Sequence, residues 1–221
     1  MAGTLSAIGA GVSRLAGDFA DYEGRFRNWM ALTNNTLELF GADIPDAARE
    51  QSLSVAYVSL SLSRTRRDGD SESRTAEGLF DALPDLGGRI LIRGDAGSGK
   101  TTLMRWAAVK MGERPDGWSW ETARKGRSDE DPNPPRDWRN LIPFLLRLRD
   151  YDGDLPGVER FADKAAADIG NPPAGWILDV LRSGQGFILL DGMDEIPSFR
   201  RGRYAKRIKS LTENYPDCLF A

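Results

Sequence analysis

Eight consecutive residues, Gly94-Asp95-Ala96-Gly97-Ser98-Gly99-Lys100-Thr101, are the part of this sequence best suited to chemistry. Glycines among small side chains let a backbone curl until several N–H groups converge on one point, the arrangement that wraps a polyphosphate. The Lys100 ammonium is then placed to reach β- and γ-phosphates, and the Thr101 hydroxyl to ligate Mg²⁺. Thr102 continues the first turn of the helix that must follow, whose amides and dipole also favour an anion. The spacing fits G-x-x-x-x-G-K-[ST] in full. The expected ligand is a nucleoside triphosphate with Mg²⁺.

Such a loop needs an acidic partner from a second strand. Phe187-Ile188-Leu189-Leu190-Asp191 supplies one: a continuous apolar run, as in a strand buried on both faces, ending in a carboxylate. In open parallel sheets the carboxyl ends of the strands are where ligands bind. Asp191 is therefore expected to serve the metal, directly or through water. Gly192 would leave room beside it. Asp194 and Glu195 follow, and one of them is expected to orient the attacking water, Glu195 ahead of Asp194. The plainer reading of these two is a helix start dressed with acids. A guanine-specific protein would carry D-x-x-G here, but that glycine position is Asp194, and no N-K-x-D occurs. Adenine, as ATP or ADP, is the expected base.

These residues need elements to hold them. Arg89 to Arg93 (RILIR) reads as the strand before the phosphate loop, Lys100 to Glu113 as the helix after it, and Leu141 to Arg149 as a further strand, where Pro143 argues for a sheet edge. Pro156 and Pro173 each suit the first turn of a helix. Ser198 to Tyr215 reads as a basic helix and Asp217 to Ala221 as another strand. Thr75 opens a short helix ended by Pro84. Ser63 to Arg74 reads as a surface loop after a half-exposed strand over Val55 to Leu62. Arg114 to Asp137 reads as a loop or insertion that Trp118, Trp120 and Trp138 help to pin. Alternation of this kind predicts an α/β sandwich with a mainly parallel sheet between helices. Residues 1–50 form a separate helical region, with Phe19, Tyr22, Phe26, Trp29, Met30, Leu37 and Phe40 at helical spacing and Gly41 as a C-cap. It is expected to pack on the main domain, 51–221, or to dock a partner.

Composition removes other classes. The 221 residues include no histidine, so no Ser-His-Asp triad and no histidine metal site can form. One cysteine, Cys218, allows no internal disulfide and reads as a small buried hydrophobe. The net charge of −3 gives no general reason to bind nucleic acid or an anionic membrane. No stretch is apolar enough to span a membrane, and the N-terminus lacks a signal-peptide pattern, so a cytoplasmic protein is expected. Arg200, Arg201, Arg203, Lys206, Arg207 and Lys209 read as a solvated basic face, with contact to a neighbouring protomer as the alternative. Arg147 and Arg149 read as surface or interface residues on one face of their strand.

GDAGSGKTTL together with FILLDGMDEIP resembles the NACHT family of STAND-type ATPases. IPFLLRLRDY and YVSLSLS are similar to that family's neighbouring strand and lead-in, so the resemblance covers Ala56 to Ala221. It implies a P-loop NTPase fold and a slowly hydrolysing signalling switch, closed with ADP and assembling after nucleotide exchange. Bacterial members include antiphage defence proteins. By the same resemblance Lys100 and Thr101 hold phosphate and Mg²⁺, Asp191 serves the metal, and Asp194 and Glu195 serve hydrolysis. In this sheet class Asp217 to Ala221 would insert between the phosphate-loop strand and the Asp191 strand. The family's later sensor residue and helical modules are not in the sequence, so a fragment of a longer protein, weak in stability or turnover, is expected. Two other readings remain: an ATP-fuelled motor on nucleic acid or protein, and a module that holds nucleotide without hydrolysing it.

Overall fold

A computed structural model describes residues 2–38, 50–52, 61–65, 71–113, 137–151 and 153–221. Its centre is a parallel sheet of three strands, β5 (Ile142–Arg147), β6 (Gly186–Asp191) and β7 (Leu219–Phe220), in the order β5-β6-β7. Ile142 to Arg147 pair in register with Gly186 to Asp191, so Arg147 stands beside Asp191 at the carboxyl end. Phe187, Ile188 and Leu189 have no exposed surface. Successive strand residues point to opposite faces, so both faces of β6 are covered, as its apolar run predicts. The chain is thus mixed α/β with a parallel sheet.

The segment before the phosphate loop differs from a regular strand. It joins the sheet through one parallel bridge, Arg89 to Phe220. The Ile90 N–H donates to the Phe220 carbonyl at 3.0 Å and the Phe220 N–H to the Gly88 carbonyl at 2.8 Å. β7 therefore lies between β6 and this segment, the position expected for Asp217 to Ala221. Past Ile90 no strand among the described residues faces the segment. Ile90 and Ile92 still turn inward while Leu91 is 77% exposed, which is the period of a strand without its ladder. Pro143 sits on β5, whose one partner among the described residues is β6, so the edge position holds.

Three helices bring the core to this sheet. α1 (Ala2–Asn34) is one helix that ends before Leu37, a residue expected at helical spacing that falls instead in a short strand, β1 (Thr36–Glu38), paired antiparallel with β2 (Glu50–Ser52). Phe40 and Gly41 lie outside the described residues. Tyr22, Phe26 and Met30 of α1 are buried; Phe26 meets Phe144 of β5, and Tyr22 and Phe26 meet Trp176 of a later helix. This is the packing role expected of the N-terminal helical region. The phosphate-loop helix (Lys100–Gly112), numbered α3 below, crosses α1 closely: a Cβ on Gly112 would lie 2.7 Å from the Arg27 carbonyl. No side chain fits there, so glycine sets the approach of the two helices.

On the other flank, Ser63 to Arg74 is not simply a loop. β3 (Ser61–Thr65) and β4 (Ser71–Thr75) form an antiparallel pair with Ser61 opposite Thr75. Ladders are made by backbone groups, so polar segments build them without the apolar periodicity that marks a strand in sequence. Residues 55–60, 66–70 and 114–136, including Trp118 and Trp120, lie outside the described residues. Trp138 is fully buried, its indole N–H donating to Asp81 at 2.8 Å, so it does anchor its segment. The short helix α2 (Ala76–Asp81) begins as expected, the Thr75 hydroxyl accepting from the Gly78 N–H at 3.2 Å. Thr75→Ala removes that cap and is expected to lower stability by about 1 kcal/mol. A fall in the urea midpoint at constant slope would register it.

The remaining helices are α4 (Asp163–Ile169), α5 (Trp176–Arg182) and α6 (Ser198–Asn214). Pro156 and Pro173 stand just ahead of the helical turns rather than inside them, and the Pro173 carbonyl accepts from the Trp176 N–H at 3.0 Å. Cys218 is buried, with its thiol against the Leu181 carbonyl at 3.3 Å, as a small core side chain.

Candidate functional site

The loop Gly94 to Gly99 leads straight into α3. Gly97 and Gly99 have φ of 78° and 87°, which side-chain-bearing residues rarely adopt. Gly94 packs closely on Ser98: a Cβ there would lie 2.5 Å from the Ser98 hydroxyl, which would have to rotate away. The turn is closed by the Ser98 N–H on the Asp95 carbonyl at 3.2 Å. Gly99 is the N-cap of α3 and carries no capping side chain. The first amides of the helix, at Lys100, Thr101 and Thr102, thus lack the hydroxyl or carboxylate that usually meets them. A loop whose curl needs glycine φ values and an uncapped helix start fit a bound phosphate.

Lys100 curls back over this loop. Its ammonium donates to the Gly94 carbonyl at 2.7 Å and the Asp95 carbonyl at 2.9 Å, and lies 3.3 Å from an Asp194 oxygen. The neighbouring Thr101 hydroxyl donates to Asp191 Oδ1 at 3.0 Å. Two loops from one end of the sheet therefore meet, one bringing amides and an ammonium and the other carboxylates. Burial raises the Asp191 pKa above the ordinary carboxylate range, with the Thr101 hydroxyl pulling the other way, Glu195 adding to the rise, and Arg147 and Arg149 opposing it. A half-buried carboxylate whose charge is disfavoured by its surroundings suits a cation. Asp194 is the opposite case: its own backbone N–H and then Lys100 hold its pKa below the ordinary value.

Among the described residues no group of three or more His, Cys, Asp or Glu side chains is gathered around one point. Thr101 and Asp191 alone would give a divalent ion two oxygens. Mg²⁺ takes six and commonly draws the rest from phosphate and water, so this donor pair fits Mg²⁺ held jointly with a nucleotide.

Three features of the acidic loop were not legible in sequence as roles. Gly192 does less for space than for direction. A Cβ there would make only ordinary contact with Glu195, at 3.6 Å, but its φ is 88°. That conformation lets the chain turn off β6, with the Glu195 N–H on the Gly192 carbonyl at 3.1 Å. Arg149 is not on the strand, which ends at Arg147; it sits in a following 3₁₀ turn and places its guanidinium 3.4 Å from Glu195. Arg201, read as part of a solvated basic face, donates to the carbonyls of Ile196 at 2.8 Å and Asp194 at 2.9 Å. Ile196 is buried beneath them, so the acidic loop is pinned from both sides. The only signal for either arginine was position, two residues past a strand end and one turn into the helix after the acids.

Compared with known proteins, the sequence matches no family model and none of the curated proteins. No helix among the described residues is long and apolar enough to cross a membrane.

Proposed function

We propose that this chain is an ATP- and ADP-binding, magnesium-dependent P-loop NTPase of NACHT type that works as a slowly hydrolysing signalling switch. The observation that carries the reading is the junction of Thr101 with Asp191 at 3.0 Å, beside Lys100 and Asp194 at 3.3 Å. A phosphate-shaped loop and a metal-suited carboxylate lie in direct contact although 90 residues separate them in sequence.

Each residue then has a task. The backbone amides from Gly94 to Thr102 surround the phosphates, and Lys100 exchanges its carbonyl and Asp194 contacts for phosphate oxygens. Thr101 and Asp191 hold Mg²⁺, which when bound neutralises phosphate charge. Glu195, steered by Arg149, takes the proton of an attacking water, and Asp194 stands by Lys100. Self-assembly under nucleotide control, a cytoplasmic location and a part in bacterial antiphage defence follow from the family resemblance alone.

The test is binding of ATP to the purified chain by calorimetry, with and without Mg²⁺. Binding is expected to strengthen with Mg²⁺, and Asp191→Asn to remove about tenfold of that strengthening, as loss of one charged metal ligand should. ATP binding that ignores both Mg²⁺ and Asp191 would overturn the metal assignment. The motor reading predicts turnover stimulated by nucleic acid or protein polymers, which an acidic chain gives no reason to expect.

A further inference from the structure

α1 runs alongside β5, with Arg27 bonded to the carbonyls of Asn140 and Leu141 near the strand's start and Asn34 bonded to Arg147 at its end. Between that end of the strand and the helix lies a cavity of about 190 Å³. Its walls include the rings of Trp29, Tyr151 and Phe161. Trp29 is held in place by its indole N–H, which donates to Asp168 at 2.7 Å.

Two cations reach this space, and they differ. The Lys164 ammonium is paired with Asp150. Arg147 is half-buried, and its one side-chain hydrogen bond among the described residues is a long one, 3.4 Å, to the neutral side-chain oxygen of Asn34. No carboxylate among the described residues forms an ion pair with it. A guanidinium has five N–H donors in a planar fork that matches a carboxylate in bidentate geometry. Here it stands at one end of an aromatic-walled cavity with most of that capacity unused by the described residues.

We infer that this cavity is a binding site for a small aromatic carboxylate, a single ring with one short acid arm, seated with its carboxylate on Arg147. Size decides the class. The cavity is smaller than the roughly 300 Å³ at which drug-sized ligand sites begin, so one ring fits and a nucleoside does not. Charge favours an acidic head group, because the half-buried guanidinium shares only the more distant charge of Asp191 and keeps its planar fork open toward the cavity. The inference stands apart from the nucleotide reading, since neither Lys100 nor Thr101 lines the cavity.

The probes are phenylacetate and its neutral isostere phenylacetamide, titrated into the full chain by calorimetry. Phenylacetate is expected to bind about tenfold or more tightly than the amide, the ratio a charge-assisted hydrogen bond supplies. Arg147→Gln should remove that preference, and Thr33→Trp, an exposed position at the rim, should block both probes. Lys100→Ala should leave phenylacetate binding as it was. Equal binding of the two probes to the unaltered chain, or no binding of phenylacetate at all, overturns the inference without recourse to any variant. Loss of phenylacetate binding in Lys100→Ala also overturns it, by placing the carboxylate in the phosphate loop.

Discussion

Lys100→Ala is expected to weaken ATP binding by at least about 100-fold, whereas Glu195→Gln leaves binding within a factor of two and slows hydrolysis by about 100-fold. The contrast follows from what each residue touches. The Lys100 ammonium is enclosed by two carbonyls and a carboxylate, three acceptors that a phosphate must replace. Without the ammonium the loop keeps its amides but loses the full positive charge of Lys100, and charge-assisted contacts are the strong ones. Glu195 pairs instead with Arg149, at 3.4 Å, and forms no ion pair with Lys100 among the described residues. The glutamine variant keeps its size and its hydrogen bonding but cannot accept a proton, so the loss falls on the chemical step. Calorimetry for affinity and phosphate release for turnover separate the two. Equal turnover in Glu195→Gln would mean that the chain holds nucleotide without using this carboxylate, and would favour a pure binding module. Unchanged affinity in Lys100→Ala would remove the nucleotide site altogether.

How much of this was legible in the sequence depends on the kind of signal. The phosphate loop and Asp191 were readable because their chemistry constrains consecutive residues. Glycine is forced where the backbone must curl, as Gly97 and Gly99 show by their left-handed φ. An apolar run is forced where β6 is covered on both faces. The positions of α3, α6 and β7 followed from the same periodicities. The hairpin of β3 and β4 escaped because its stability lies in backbone pairing, which leaves no mark on side-chain hydropathy. The roles of Arg149 and Arg201 escaped for a different reason. Each acts on a residue far along the chain or on a carbonyl, and neither partner is encoded by spacing. RILIR was legible as a strand and is one only at its first residue, because a strand also needs a neighbour and β7 offers it two residues.

Arg27 is the extreme case of a role hidden from sequence, and it carries the second large prediction: Arg27→Ala should destabilise the chain by about 3 to 5 kcal/mol. In sequence Glu23 and Arg27 are an i,i+4 pair on a helix, worth a few tenths of a kcal/mol when exposed. In the structure both side chains are buried, Arg27 at 3% and Glu23 at 1% exposure, with 2.8 Å between Arg27 Nε and the Glu23 carboxylate. The rest of the guanidinium donates to the Met111 and Leu141 carbonyls at 2.8 Å each and to the Asn140 carbonyl at 2.7 Å. Met111 lies in the last turn of α3, where helix carbonyls lack intrahelical partners, and Asn140 and Leu141 lead into β5. One side chain of α1 thereby ties together the helix that begins at Lys100 and the strand that ends at Arg147. Removing it leaves three carbonyls short of a donor and a buried carboxylate without its cation, each of which carries a desolvation cost. Arg27→Lys should recover only part of the loss, since a single ammonium cannot span donors spread over a planar fork. Glu23→Gln should cost less than Arg27→Ala, because it withdraws a charge but keeps an acceptor for Nε. Urea unfolding of the three variants gives the ranking directly. A loss under about 1 kcal/mol for Arg27→Ala, the range of an exposed pair, would mean that α1 rests on the domain through its aromatic face alone.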